Sequence, residues 1–217
     1  DGATDRNIFT TDYNNLTASG AATKTLSGDV TVNGALTIDD VTTVAMATNN
    51  LSVTGDATIP GIVTISTATL DVDGAFDATG GNITFSDDGE LQIAGDVTSL
   101  GTLSDDFGTV NYDGDADRNI FTTDYNNLTA SGDATKTLVG TVTVNGSLTI
   151  ADGTTTVAMG TDSLSVTGAT DINGTVTIST AILDVDGAFD ATGGNVTFSG
   201  AGELKVEGDV TSLGTLS

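Results

Sequence analysis

The segment GDVTVNGALTI, residues 28–38, carries the pattern that decides the fold. Its two triplets, VTV at 30–32 and LTI at 36–38, each place an apolar residue on either side of a threonine. Because side chains alternate between the two faces of a strand, each triplet predicts a very short strand with one apolar and one polar face. Asn33 and Gly34, which separate the triplets, are typical turn residues.

The same pattern recurs along the chain, with apolar triplets at intervals of six to eight residues. In the first half these are LSV (51–53), VTI (63–65), LDV (70–72), ITF (83–85) and LQI (91–93). Pairs of glycines six positions apart accompany them, beginning with Gly28 and Gly34. Three such strands joined by tight corners make one coil of about 20 residues, which is a solenoid repeat length. We therefore predict an all-β fold, a parallel β-solenoid.

The chain consists of two tandem copies of a longer repeat. DRNIFTTDYNNLTASG at 5–20 recurs unchanged at 117–132, and GDVTSLGTLS at 95–104 recurs at 208–217, so the repeat length is 112 to 113 residues. We place the first solenoid copy at residues 1–112 and the second at 113–217. The near-identity of the copies predicts an excerpt of a longer array.

A pair of β-sandwich domains is the alternative architecture, because a sandwich domain of the immunoglobulin type has about 100 residues. Sandwich strands are usually longer than these triplets, at about five to six residues. Sandwich cores also rely on aromatic side chains, which make up only 5% of this chain. The solenoid is therefore the favoured prediction.

Composition excludes several classes of function. The chain has no Cys and no His, which removes thiol and imidazole catalysis, disulfides and the usual zinc ligands. Five basic residues stand against 30 acidic ones, and the net charge of -25 would repel nucleic acid. No apolar run approaches the roughly 18 residues of a membrane span. We expect neither an enzyme nor a nucleic-acid-binding protein, and no membrane insertion.

The segment NYDGDADRNIFTTD, residues 111–124, contains oxygen ligands at the spacing of a calcium loop. Positions 1, 3, 5, 7 and 12 of that loop would be Asp113, Asp115, Asp117, Asn119 and Asp124. However, Arg118 stands where the loop needs glycine, and Ala3 of the first copy replaces Asp115. A solvated turn, in which Arg6 or Arg118 neutralises the carboxylates, is the alternative. We therefore assign no metal, cofactor or catalytic residue, and calcium stays an open alternative.

Neighbouring carboxylates also suggest the acid and base of a glycosidase. The pairs are Asp71 and Asp73, Asp87 and Asp88, Asp105 and Asp106, and Asp184 and Asp186. Basic residues that would bind an acidic substrate are scattered through the chain, at Arg6, Lys24, Arg118, Lys136 and Lys205. We therefore interpret the pairs as outward residues that lead into corners.

Threonine-rich segments raise the question of ice binding through a flat threonine surface. The segments are VTIST (63–67), TVTV (141–144) and VTFS (196–199). The middle residues of successive triplets in the first copy are Thr, Thr, Ser, Thr, Asp, Thr and Gln. A regular Thr-x-Thr pattern is therefore not expected to persist on one face, and β-propensity explains the threonines.

The strings YNNLTASG (13–20), TKTLSGDVTVNGALTI (23–38) and GTVNYDG (108–114) resemble a repeat of very large surface proteins of Bacteroidetes and related bacteria. Those proteins are regarded as adhesin-like β-solenoid exoproteins, broadly similar to stalks of the filamentous-haemagglutinin type. The resemblance covers both copies. It implies an extracellular or bacterial cell-surface location and supplies no catalytic residues.

These observations predict a structural shaft or stalk segment of an extracellular bacterial filament or adhesin, which supports attachment to cells or surfaces. Its expected partners are further copies of the same repeat in a longer chain, with a homo-oligomeric fibre as a further expectation. The alternative is a binding module whose solenoid face itself recognises glycan, ice or another cell surface.

Overall fold

The structure, a computed structural model, describes residues 2, 4–104 and 106–217. Within these residues the chain forms 33 strands and no helix. The strands are two to five residues long, which suits the short apolar triplets of the sequence. They pair in parallel into stacked sheets. The prediction of an all-β parallel β-solenoid is confirmed.

The chain forms two compact units, Asp1–Thr109 and Val110–Ser217, which we call unit 1 and unit 2. The strands of unit 1 are β1 (Arg6–Ile8), β2 (Asp12–Tyr13), β3 (Leu16–Ala18), β4 (Thr23–Leu26), β5 (Val30–Val32), β6 (Leu36–Ile38), β7 (Thr43–Ala47), β8 (Leu51–Val53), β9 (Ala57–Thr58), β10 (Ile62–Ile65), β11 (Thr69–Val72), β12 (Phe76–Asp77), β13 (Asn82–Phe85), β14 (Glu90–Ile93), β15 (Val97–Ser99) and β16 (Thr102–Leu103).

Unit 2 contains nearly the same succession of strands, preceded by β17 (Thr109–Tyr112), of which all but the first residue belongs to this unit. The others are β18 (Arg118–Ile120), β19 (Asp124–Tyr125), β20 (Asn127–Ala130), β21 (Thr135–Leu138), β22 (Val142–Val144), β23 (Leu148–Ile150), β24 (Thr156–Gly160), β25 (Leu164–Val166), β26 (Thr170–Ile172), β27 (Thr175–Ile178), β28 (Ile182–Val185), β29 (Phe189–Asp190), β30 (Asn195–Phe198), β31 (Glu203–Val206), β32 (Val210–Ser212) and β33 (Thr215–Leu216).

Every third strand belongs to the same sheet, so each unit has three sheets. In unit 1 the first sheet is β1-β4-β7-β10-β13-β16, the second β2-β5-β8-β11-β14 and the third β3-β6-β9-β12-β15. In unit 2 the first sheet is β18-β21-β24-β27-β30-β33, the second β19-β22-β25-β28-β31, and the third contains β17-β20-β23-β26-β29-β32.

The register of the pairs fixes the length of a coil. Val63 pairs with Ile83 in the first sheet of unit 1, and Leu70 pairs with Leu91 in the second. One coil therefore takes about 20 residues, as the spacing of the triplets predicts. Parallel pairing between strands this far apart is incompatible with the alternative of two sandwich domains, whose sheets are antiparallel.

The core is a column of aliphatic side chains enclosed by the three sheets. Leu70, Val72, Leu91 and Ile93 are fully buried, whereas the intervening Gln92 is half-buried and faces outward. Burying one such aliphatic side chain contributes roughly 1.5–3 kcal/mol relative to leaving it exposed. Each coil adds several of them, so the inward residues of the triplets supply most of the apolar stabilisation.

Glycines of the repeated pattern stack at one corner of the coil. In unit 2, a Cβ added to Gly168 would overlap the carbonyl of Gly146, and one added to Gly187 would overlap the carbonyl of Gly168. The Gly168 amide donates to the Gly146 carbonyl at 2.9 Å. The corner therefore needs glycine because successive backbones approach too closely for any side chain.

Aspartate and asparagine side chains connect successive coils at other corners. Asp29 Oδ1 accepts a hydrogen bond from the backbone N–H group of Asn50 at 2.8 Å, and Asp56 Oδ1 accepts one from the backbone N–H group of Ala75 at 2.9 Å. The carboxylate of one coil thus satisfies a backbone N–H group of the next coil outside the regular sheet pairing. A short side chain suits these corner positions, which explains why most acidic residues of the chain are Asp rather than Glu.

The glycine column yields a matched pair of substitutions. Gly187→Ala should lower the free energy of unfolding by about 1–3 kcal/mol, because the new Cβ displaces the coil beneath it. Gly153→Ala should change that free energy by less than about 1 kcal/mol, because the nearest atom to its Cβ, Asn173 O, is 3.9 Å away. Urea unfolding followed by circular dichroism measures both. Equal effects would contradict the close stacking of coils.

Candidate functional site

The first sheet of unit 2 presents two columns of small, mostly hydroxyl-bearing side chains to solvent. Strand pairing aligns one column in register, consisting of Thr135, Thr156, Thr175, Asn195 and Thr215. The second column, two residues further along each strand, consists of Thr137, Ala158, Thr177 and Thr197. We call these outward positions of the first sheet the threonine face.

Unit 1 carries the same face with one conspicuous change. Its first column is Thr23, Thr43, Ile62, Asn82 and Thr102, and its second is Thr25, Ala45, Thr64 and Thr84. Ile62 takes the place that Thr175 holds in unit 2. The array of hydroxyl groups is therefore more complete in unit 2.

Strand geometry makes the threonine face a regular grid. Neighbouring strands lie about 4.8 Å apart, and alternate residues of one strand lie about 6.6 Å apart. Threonine is β-branched, and its side chain has few rotamers to choose from on a sheet. Methyl and hydroxyl groups therefore recur at fixed intervals wherever threonine occupies the position, and in unit 2 Ala158 and Asn195 interrupt the array.

The threonine face is uncharged in a protein of net charge -25. None of the strands β21, β24, β27, β30 and β33 contains an acidic residue, and Lys136 of β21 points inward and is buried. By contrast, Asp184 occupies an outward position of the second sheet, and Asp171 and Asp190 occupy outward positions of the third. The acidic charge is thus placed on other surfaces.

The structure agrees with the expectation that a regular Thr-x-Thr pattern does not persist on one face: β21 and β27 carry threonine at both outward positions, whereas Ala158 of β24 and Asn195 of β30 interrupt the pattern. Successive triplets belong to different sheets, so their middle residues never form one column. The residues that do align, such as Thr177 and Thr197, are one coil apart in the sequence. Two of the three threonine-rich segments, 63–67 and 196–199, contribute to the threonine face through Thr64 and Thr197. The third segment, 141–144, does not contribute, because its Thr143 lies in the second sheet.

The proposed calcium ligands do not converge on one loop. Asp115 Oδ1 accepts a hydrogen bond from the Asp133 amide at 3.2 Å, and Asp117 Oδ1 accepts one from the Thr135 amide at 2.9 Å. Asn119 lies in β18 and Asp124 in β19, which belong to different sheets. Among the described residues, no group of three or more acidic side chains is arranged to hold a metal ion.

A lysine ammonium group lies beside the residues that have the spacing of a calcium loop. Lys136 is fully buried, and its Nζ donates a hydrogen bond to the Gly114 carbonyl. Burial lowers the pKa of the Lys136 ammonium, and the nearby carboxylates, foremost that of Asp113, oppose this effect. Lys24 of unit 1 is also buried, and its Nζ donates to the Gly2 carbonyl at 2.9 Å.

Sequence reasoning missed this use of lysine, although a signal was present. In TKTL the lysine and the leucine are two residues apart, which places both on the inward face of one strand. Arg118, one of the two arginines expected to neutralise the carboxylates, donates a hydrogen bond from its Nη1 to the backbone oxygen of Asp117 at 3.2 Å.

The paired carboxylates lie on sheet surfaces and in turns. Asp71 faces outward from β11 and accepts a hydrogen bond from Ser52 Oγ at 3.3 Å. Partial burial raises the pKa of Asp71, and the neighbouring Asp73 raises it further. Asp184 faces outward from β28 in the same way, whereas Asp87 and Asp88 lie in the turn before β14. Of the pair Asp105 and Asp106, Asp105 lies outside the described residues.

Comparison with known proteins gives no assignment for this chain. No protein-family model matches it, and no curated protein and no solved structure is similar to it. Within the described residues, no helix has the length and apolar character to cross a membrane.

Proposed function

We propose that this chain is a structural shaft segment of an extracellular bacterial surface filament or adhesin. The observation that carries the proposal is the continuous stacking of coils within each unit. In the first sheet of unit 2, every strand from β18 to β33 pairs with the strand of the next coil, and no strand is missing. Further copies of the repeat in a longer chain are the proposed partners.

The physical basis for a shaft is that stability adds up along the stack. Each coil contacts only its neighbours, so one more repeat lengthens the stack without requiring a new kind of core. Backbone hydrogen bonds run along the stack and resist extension. The acidic second and third sheets repel neighbouring shafts at low ionic strength, and salt screens this repulsion. The extracellular location rests on the resemblance to surface adhesin repeats.

The test is whether copies of the repeat act as a passive spacer. A chain with the 217 residues duplicated, and with the two halves joined through DDFGTVNY as at residues 105–112, should have a maximum dimension about 50 Å greater in small-angle X-ray scattering, since it adds about eleven coils at roughly 4.8 Å each. Neither chain should bind an array of glycans and bacterial cell walls. A compact duplicated chain, or strong retention on the array, would count against the shaft.

The threonine face favours a second candidate function, in which this surface binds an ordered, uncharged surface such as ice or a crystalline glycan. The supporting observation is the combination of a fixed grid of hydroxyl and methyl groups with the lack of acidic residues in its strands. A flat and regular array can match a flat and regular ligand without ordering many side chains. This candidate function requires no change to the solenoid fold.

A pair of lysine substitutions distinguishes the second candidate from the shaft. Thr177→Lys places a charge in the middle of the threonine face, whereas Thr149→Lys places the same charge on an outward position of the third sheet. If the face binds, partitioning into ice or onto crystalline cellulose or chitin should fall about tenfold for the first variant only. Loss in both variants, or no partitioning of the original chain, would eliminate this candidate.

A further inference from the structure

An identical stretch of sequence has different surroundings in the two units. Residues 5–20 and 117–132 have the same sixteen letters and form the same succession of strands. In unit 2, β17 lies beside β20, and the Ser131 amide donates to the Tyr112 carbonyl at 3.0 Å. Ser131 Oγ also donates to Asn111 Oδ1 at 2.9 Å. The strand β17 thus covers the shared stretch in unit 2.

Tyr112 of β17 completes a closed set of hydrogen bonds with the shared stretch. Tyr125 Oη donates to the Phe121 carbonyl at 2.5 Å, so its single hydrogen is used there. Tyr112 Oη therefore donates to Tyr125 Oη at 2.9 Å, and it accepts from the Phe121 amide at 3.0 Å. Both tyrosines are buried, with exposures of 1% and 0%, and burial raises the pKa of Tyr112 to about 12.

The equivalent residues of unit 1 form a groove. Tyr13 Oη donates to the Phe9 carbonyl at 3.1 Å, which matches the bond between Tyr125 and Phe121. However, Tyr13 and Leu16 are only half-buried, and Phe9 is 69% exposed. The strand β3 is the end strand of the third sheet of this unit. The groove is lined by Arg6, Ile8, Tyr13, Leu16, Ala18 and Lys24.

We propose that this groove is a docking site for a β-strand with the sequence of β17, TVNY, supplied by another copy of the repeat. The strand would pair with β3, as β17 pairs with β20, and its tyrosine would reach Tyr13 and the Phe9 backbone. Exposed strand edges are known sites for such strand addition. The inference rests on the proposed shaft function and names the strand that a further copy would supply.

The occupant is identified by unit 2 itself. The residues that line the groove have identical counterparts there, Ile120, Tyr125, Leu128 and Ala130, and each is at most 1% exposed beside β17. The same lining in unit 1 should therefore accept the same strand. Specificity for this strand comes from its tyrosine, the equivalent of Tyr112, whose hydroxyl both donates and accepts a hydrogen bond in unit 2.

The test extends the chain by the sequence DDFGTVNY, residues 105–112, placed directly before Asp1 in the phase of the repeat. Reaction with tetranitromethane, mapped by mass spectrometry, reports the accessibility of Tyr13. In the extended chain the nitration rate of Tyr13 should fall about tenfold, towards that of the buried Tyr125. The melting temperature should also rise, because a strand is added to the stack.

Matched variants of the extended chain show whether the added tyrosine is responsible for the protection of Tyr13 from nitration. Replacing the added tyrosine by serine should restore nitration of Tyr13, whereas replacing the added aspartates by asparagine should leave the protection unchanged. Unchanged reactivity of Tyr13 in the extended chain would overturn the inference. That failure would leave the shaft function intact, because the binding measurement on the glycan and cell-wall array does not depend on this contact.

Discussion

Parallel backbone pairing between each strand and the third strand after it is the interaction on which the rest of the structure depends. It holds Val63 beside Ile83 and Leu70 beside Leu91, so residues of one coil lie directly over their equivalents in the next. Inward aliphatic side chains then form a continuous column. The same pairing brings backbones together at the corners, which leaves room only for hydrogen at Gly168 and Gly187.

The stacking also determines where charge is placed. Corner carboxylates such as Asp29 and Asp56 accept amide hydrogens of the following coil, so part of the acidity is structural. The two inward lysines bond to backbone carbonyls inside the stack. What remains at the outward positions of the first sheet is an uncharged array in which most side chains are threonine. The division between acidic surfaces and an uncharged one gives each unit one side that is suited to an uncharged ligand.

Much of the fold could be predicted from the sequence because it is written in local patterns. The triplets around Val30 and Leu36 define strands, and the glycine spacing defines corners. The threonine columns could not be read in the same way, because their members are one coil apart and the corners between them vary in length. The closed set at Tyr112 and Tyr125 joins two strands of different sheets, and only the folded coil brings them together.

The register of the first sheet in unit 2 is the most direct test of the account. Nuclear Overhauser contacts on the isotopically labelled chain should connect the backbone protons of Val157, Val176 and Val196, which the parallel stack places side by side. Short Hα–Hα contacts between strands that are adjacent in the sequence, as in antiparallel hairpins, would contradict the solenoid and remove the basis for a shaft.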